Sequence, residues 1–348
     1  ASAAWAALRA ASPLAALKWE LGDLWANDDL SPAAVMTLGE SPLLLSARAA
    51  VAELWSREEE APPADETGDI VEPVEETPLE APEAPDNGVP ARTLVPTGTA
   101  GYTVCGRTYI SHSTDYSLEV QDLQQPLSAV LTGEGPQVLI LHTHGSEAYT
   151  MPAGEEYEAS GSYRTMDTTK NMIRVGDEIA AVLSRYGLSV LHDRQIHDTD
   201  YNSAYDKSYD SAAAYLEKYP SISFVLDIHR DAISDADGNQ YKVVSQEDPR
   251  AAQLSIIMGS NYDAWLSNLR LAVAVQSHLA HDHPTLMRPI TLRWYGYNQS
   301  LSTGSLLVEV GAAGNSLDEA IYAARLFARG FAETLGCTEP GNPISPSA

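Results

Sequence analysis

Cysteine is nearly missing from this chain: Cys105 and Cys337 are the only two in 348 residues. That excludes a cysteine-rich zinc finger and a disulfide-dense scaffold. The two can pair where the compartment oxidises thiols, but two unrelated buried thiols is the simpler expectation. Basic residues are scarce too, with Lys and Arg numbering 21 against 48 Asp and Glu, for a formal net charge of -27. Such a chain repels phosphate backbones and anionic lipid surfaces, so no nucleic acid partner is expected. No run of about 18 apolar residues occurs, so no spanning helix, and no membrane contact by this chain itself, is expected. The chain opens on Ala rather than Met, and it is read as a processed chain whose upstream signal or anchor lies outside it. There is no G-x-S-x-G elbow and neither cysteine adjoins a histidine, which disfavours nucleophilic catalysis. A P-loop and a G-x-G-x-x-G are also missing, so nucleotide chemistry has no support.

What is present divides the chain into three. Residues 1–56 are rich in Ala, Leu and Trp, with apolar residues at three and four spacings. They read as a small helical region, with Ser31 and Ser41 as N-caps before prolines. Residues 57–96 carry about a dozen acidic residues and many prolines. Such a segment buries too little apolar surface to offset its ordering entropy, so it reads as a semi-stiff linker. Residues 97–340 look globular. Short β-rich pieces come first. Then apolar strands (VLIL, LSVL, SISFVLDIH, AAQLSIIMG, SLLVEVG) alternate with amphipathic helices. In the first long helix, apolar Met172, Val175, Ile179, Val182 and Leu183 recur every three or four residues, with Thr168 or Thr169 as cap and Gly187 as terminator. In the last, Ser316 and Glu319 have capping-box spacing. The alternation predicts an α/β fold: a mostly parallel or mixed sheet with helices on both faces.

In open α/β sheets, sites form beyond the carboxyl ends of strands. His142, His144 and Glu147 end VLIL; Asp227, His229, Arg230 and Asp231 end SISFVL; Glu309 belongs to SLLVEV. His144 and Glu147 form an H-x-x-E unit whose intervening glycine relaxes the turn. His229 from a second strand completes a His₂Glu set, the three protein ligands of a catalytic zinc. Zinc lowers the pKa of its water to about 7 and polarises a carbonyl. The proton still has to pass to the leaving group through a carboxylate outside the metal shell, and Glu309 is the residue for that. His142 alternates with His144 and faces the other way in a continuing strand, which suits support. Asp167, just before the first long helix, competes with Glu147 as third ligand. His281 and His283, before a proline, read as a solvated loop. Singly, each residue has a structural reading; it is the three strands together that point to a metal.

At these residues the sequence resembles the stage II sporulation protein P family. ILHTHGSEAYT, TMDTTKNMIRVGDEIAAVL, VLDIHRDA and LLVEVGAAGNSLDEA look like its successive motifs, and the resemblance covers about residues 100 to 337. It implies a zinc-dependent hydrolase related in fold to N-acetylmuramoyl-L-alanine amidases, with peptidoglycan as substrate. It implies cleavage of the amide between N-acetylmuramic acid and L-alanine, and of peptide cross-links. It places the work outside the cytoplasm, at the sporulation septum during engulfment, with stage II sporulation proteins D and M as partners. An N-terminal membrane anchor is usual in the family; here it would precede the chain. His144, His229 and Glu309 match the amidase pattern. The amidases supply the Glu ligand near the start of the first long helix, where this chain has Asp167. Glu147 instead matches the H-x-x-E arrangement of zinc carboxypeptidases. The competing functions are therefore another zinc peptidase of carboxypeptidase type, or a non-catalytic peptidoglycan-binding scaffold.

Two further groups suit a substrate groove. Arg230 either engages a stem-peptide carboxylate or the oxyanion, or pairs with Asp227 or Asp231. Arg293, Tyr295, Tyr297 and Asn298 lie in an aromatic, Gly- and Ser-rich stretch; they either bind sugar rings or pack on the core.

Overall fold

The structure, a computed structural model, describes residues 69–71, 86–235 and 237–339. The helices expected over residues 1–56 lie outside the described residues.

Among the described residues, nine strands form one mixed sheet. In chain order they are β1 (Asp69–Val71), β3 (Thr103–Cys105), β4 (Thr108–His112), β5 (Val138–Leu141), β6 (Val190–His192), β7 (Phe224–Asp231), β9 (Leu254–Gly259), β10 (Ile290–Arg293) and β11 (Ser305–Ala312). Their order across the sheet is β1-β6-β5-β7-β11-β9-β10-β4-β3. β6, β5, β7 and β11 run parallel, as do β9, β10 and β4, but β11 and β9 are antiparallel. With the antiparallel edge pairs β1–β6 and β3–β4, that reversed central pairing makes the sheet mixed. It also brings the start of β9 to the same edge as the ends of β5, β7 and β11.

The helices are α1 (Val120–Leu123), α2 (Met172–Arg185), α3 (Ala204–Lys218), α4 (Trp265–Asp282) and α5 (Leu317–Thr334). One face of the sheet, with Ile140, Leu226, Ile228, Ile256 and Val308, packs on α2, α4 and α5 in the main core. Phe327 and Phe331 are fully buried there, and each such aromatic stabilises the fold by about 2–3 kcal/mol. On the other face a smaller core joins Leu139, Leu141, Leu191 and Val225 to Ala212 and Tyr215 of α3. Alternation along each strand therefore turns Asp227, His229 and Glu309 toward the α3 face, and His142 toward α2.

Local signals act as expected at several ends. Gly187 terminates α2 with φ +82°, and Ser316 with Glu319 makes a full capping box on α5. The cap of α2 differs: Asn171, not Thr168 or Thr169, accepts from Ile173 N. Asn171 is fixed there because its side chain also donates to Thr165 O and its backbone bridges Ala148. The segment read as linker also differs. Asp69–Val71 pairs antiparallel with β6, and β2 (Ala91–Arg92) pairs with β8 (Lys242–Val243). Asn87 donates to Thr150 O and Gly314 O. Backbone pairing to preformed edges orders these stretches, a contribution that composition does not register. Cys105 and Cys337 are both free thiols.

Candidate metal centre

The loop after β5 begins the site. His144 is buried, and its carbonyl accepts from Glu147 N, which closes a tight turn. Gly145 is needed for approach rather than for φ: a Cβ there would stand 3.3 Å from Ile196 Cα. Tyr149 pins the loop, donating from its buried hydroxyl to Val310 O of β11 at 2.8 Å.

Glu147 enters from this loop, and His229 meets it from β7. Glu147 Oε2 lies 3.7 Å from His229 Nδ1 and accepts from Arg230 N at 3.3 Å. His144 and His229 stand ring to edge, 5.4 Å between centroids. Glu309 sits on the next strand, in register with His229 on one side and Ser255 on the other. Just past it, Gly311 takes φ +69° where the β7–β11 register slips, with Ala252 Cβ 3.0 Å from where its own Cβ would be. Three elements thus carry His144, Glu147, His229 and Glu309 to the same edge of the sheet.

The electrostatics differ residue by residue. Burial lowers the pKa of His144 to about 4, so its ring is neutral. Burial also opposes a charge on His229, but Asp227, Glu147 and Glu309 outweigh it and raise the pKa to about 9. Glu147 stays ionised: burial works against its charge, and Arg230, His229, His144 and Arg164 more than compensate. Burial and then Asp231 push Glu309 up to about 8.

His₂Glu with an outlying carboxylate is a zinc donor set by chemistry. Its unsatisfied atoms fit as well, since His144 Nδ1, His229 Nε2 and Glu309 Oε2 are shielded from water and have no hydrogen-bond partner. Such orphaned atoms are costly unless something binds them. Asp227 Oδ1 lies 2.9 Å from His229 Nε2 but outside hydrogen-bond geometry. The donors are not drawn together beforehand: among the described residues no group of three or more His, Cys, Asp or Glu is disposed to hold a metal. The residues fit zinc by type and by unmet valence, not by preformed convergence. Asp167 stands apart at the surface, where its Oδ1 accepts from Thr169 N and Oγ1.

A family model described as stage II sporulation protein P matches residues 75–332. The chain belongs to the stage II sporulation protein P family. A stage II sporulation protein P of Bacillus subtilis (strain 168) is 24% identical over 230 residues, 62% of this chain and 55% of that protein. The chain therefore spans little more than half the length of that relative. Among solved structures it is similar to the N-acetylmuramyl-L-alanine amidase Ami1 from Mycobacterium smegmatis, at 16% identity and TM-score 0.38, over 60% of this chain and 99% of that one. It is also similar to the N-acetylmuramoyl-L-alanine amidase AmiC2 of Nostoc punctiforme, at 16% identity and TM-score 0.37, over 59% of this chain and 99% of that one.

Arg164, Asp198 and Tyr201 also belong to this site and were not singled out by the sequence, which marks Asp227 only as a strand-end residue and partner for Arg230. Arg164 bridges Glu147 Oε1 at 3.3 Å and Asp198 Oδ2 at 2.5 Å. Asp198 also accepts from Ser146 N and Oγ. Tyr201 stacks on His144 with ring centroids 4.7 Å apart. Asp227 accepts from Thr143 N and Oγ1. These come from stretches with no periodicity, and only Asp227 had a strand end to mark it.

Arg230 departs from the expected pairing with Asp227 or Asp231. Nε donates to Ala148 O and Nη2 to Tyr163 O, leaving Nη1 3.7 Å from Glu147 Oε1. Its ion pair is therefore with Glu147, not Asp227 or Asp231, and it fixes the loop that carries Glu147. His142 is a supporting residue as expected, with Nδ1 on Ile228 O and Nε2 on His192 Nε2. Tyr297 lies 6.2 Å from the Tyr205 ring, itself 5.6 Å from His144. Asn298 donates to Tyr205 O and Ser208 Oγ, so this loop is tied to α3 beside the centre. Arg293 and Tyr295 are exposed rather than packed on the core. His281 falls in the last turn of α4 and pairs with Asp282 rather than lying in a loop; His283 caps that helix.

Proposed function

We propose that this chain is a zinc-dependent peptidoglycan hydrolase that cleaves the amide between N-acetylmuramic acid and L-alanine. The observation that carries this reading is the pair of orphaned, shielded atoms His144 Nδ1 and Glu309 Oε2, with His229 beside them, around an ionised Glu147. Membership of the stage II sporulation protein P family supports it. His144, Glu147 and His229 would hold the zinc. When bound, zinc supplies Lewis acidity for the scissile carbonyl and eases ionisation of the attacking water.

The chain's own residues do the rest. Glu309, poised near neutral pH, takes a proton from the attacking water and returns it to the departing nitrogen. Arg230 and Arg164 hold Glu147 in place. Arg293, Tyr295, Tyr297 and Asn298 border the centre as the substrate-binding loop, with exposed aromatic faces available to sugar rings. By family membership, the work belongs to engulfment at the sporulation septum, outside the cytoplasm, with stage II sporulation proteins D and M as partners and with peptide cross-links as a further substrate.

The test uses purified chain on cell-wall sacculi after chelation and after zinc is restored. Activity should vanish and return, and the freed products should be stem peptides by mass spectrometry. Release of single amino acids would favour a carboxypeptidase, the activity that the H-x-x-E arrangement also suits. Glu309→Gln should lower kcat by about 10²-fold or more while keeping stoichiometric zinc. Activity indifferent to chelation, or a zinc-free protein that only binds sacculi, would overturn the proposal.

A further inference from the structure

When water adds to an amide carbonyl, negative charge gathers on the carbonyl oxygen. A fixed donor aimed at that oxygen stabilises the transition state more than the ground state. Several side-chain donors around the centre already have acceptors. Arg230 gives Nε to Ala148 O and Nη2 to Tyr163 O. Thr143 gives its hydroxyl to Asp227, and Ser146 gives its own to Asp198. Asn298 gives its amide to Tyr205 O and Ser208 Oγ.

Tyr205 differs. It sits half-buried in the first turn of α3. Its ring stands perpendicular to that of His144, with centroids 5.6 Å apart, and lies 6.2 Å from the Tyr297 ring. The hydroxyl remains accessible and has no hydrogen-bond partner among the described residues. Burial, then Asp227, Tyr297, Glu309 and Glu147, hold its pKa well above 10, which puts the phenol among the carboxylates of the centre. A phenol is a neutral donor at pH 7 with or without that shift. The turn that carries it is braced from two sides. Asn298 ties the Tyr205 carbonyl to the loop after β10, and Ser208 Oγ, one turn on, lies 2.8 Å from Thr143 Oγ1 in the loop after β5. The donor is thus fixed before substrate arrives, the condition under which such donors are effective.

We propose that Tyr205 is a catalytic residue whose hydroxyl donates a hydrogen bond to the carbonyl oxygen of the scissile amide as water adds to its carbon. The inference rests on the hydrolase reading above. The phenol gives up no proton. A C–O bond to the water oxygen forms, and the carbonyl π pair moves onto the oxygen that Tyr205 meets. The C–N bond breaks as that pair returns, with Glu309 delivering the water's proton to nitrogen.

Tyr205→Phe removes the hydroxyl and keeps the ring beside His144 and Tyr297. On a soluble muropeptide with zinc supplied, kcat should fall by about 10²- to 10³-fold, the usual loss of one oxyanion donor, while KM stays within about threefold. A phosphinate isostere of the N-acetylmuramoyl-L-alanine amide carries the charged oxygens of the transition state, so calorimetry should find it bound more weakly by a similar factor. Because the hydroxyl has no partner, its removal strands nothing, and zinc content by atomic emission and the urea midpoint should be unchanged. A kcat within about threefold of the unaltered chain overturns the proposal, as does an unchanged affinity for the phosphinate. Lost zinc or a lowered urea midpoint also overturns it, since the hydroxyl would then be structural. If the unaltered chain cleaves and Tyr205→Phe cleaves as fast, only the assignment of Tyr205 fails. If the unaltered chain with zinc leaves muropeptide and sacculi intact, the hydrolase reading fails and this one with it.

Discussion

Glu147 is one side chain with three cationic neighbours: Arg164 at 3.3 Å, Arg230 at 3.7 Å and His229 at 3.7 Å. A carboxylate held ionised in a buried place is a ready ligand, whereas Asp167 already serves Thr169 at the surface. After dialysis, Glu147→Ala should therefore lose most of its zinc, on the order of 10- to 100-fold in affinity, and Asp167→Ala should keep it, both read by atomic emission. Zinc loss in Asp167→Ala alone would move the third ligand to the helix start. Glu147→Ala also removes an ion-pair partner from buried Arg230 and half-buried Arg164, so Glu147→Gln is the companion that separates folding from metal. At this scale the strand ends gave His144, Glu147, His229 and Glu309 away, because period-2 alternation fixes which residue turns to which face. Arg164 and Asp198 stayed hidden. They meet 34 positions apart, between loops that no local pattern relates.

Among the elements, the long helices and apolar strands were legible because each satisfies its own periodicity. Pairing was not. The insertion of β11 between β7 and β9 depends on contacts distant in sequence, and a three-residue strand such as β1 has too few residues to show a period. A helix can also hide a tertiary demand. Gly176 lies inside α2, where Ala would ordinarily be better by about 1 kcal/mol. Here a Cβ would come 2.5 Å from His192 Nε2 and nearer still to His142 Nε2. Those rings are hydrogen-bonded to one another and cannot swing aside at little cost. Gly176→Ala should therefore destabilise the fold by about 1–3 kcal/mol, the usual penalty of overpacking, measured by urea unfolding. A neutral or stabilising result would mean that the histidine pair is mobile.

For the molecule as a whole, the net charge of -27 describes solubility and partners, but buried histidines shape how stability depends on pH, His142 and His229 by the largest shift in each direction. In an unfolded chain both titrate near 6.5. Burial, and then the neighbouring His192, lowers His142 to about 3. As pH falls from 6.5 toward 3 the unfolded chain takes up a proton that the fold refuses, so stability drops by about 1.4 kcal/mol per pH unit. His144 and His192, each lowered to about 4, act in the same sense, while Glu309, raised from 4.5 to about 8, opposes them across that window. His229, raised to about 9, also acts in the opposite sense. Its contribution is complete below 6.5 and is lost as pH rises through 9. Asp227, held down at about 2, loses its contribution only below 3.8. These groups together place the optimum of the metal-free chain near pH 6.5, with a decline on each side. Urea unfolding between pH 4.5 and 9 should trace that dome, and His142→Gln should flatten its acid limb by about one proton's slope. Zinc should flatten the alkaline limb, because a ligating histidine is already unprotonated and no longer gives up a proton there. An alkaline limb that persists unchanged with zinc bound would show that His229 is not a ligand.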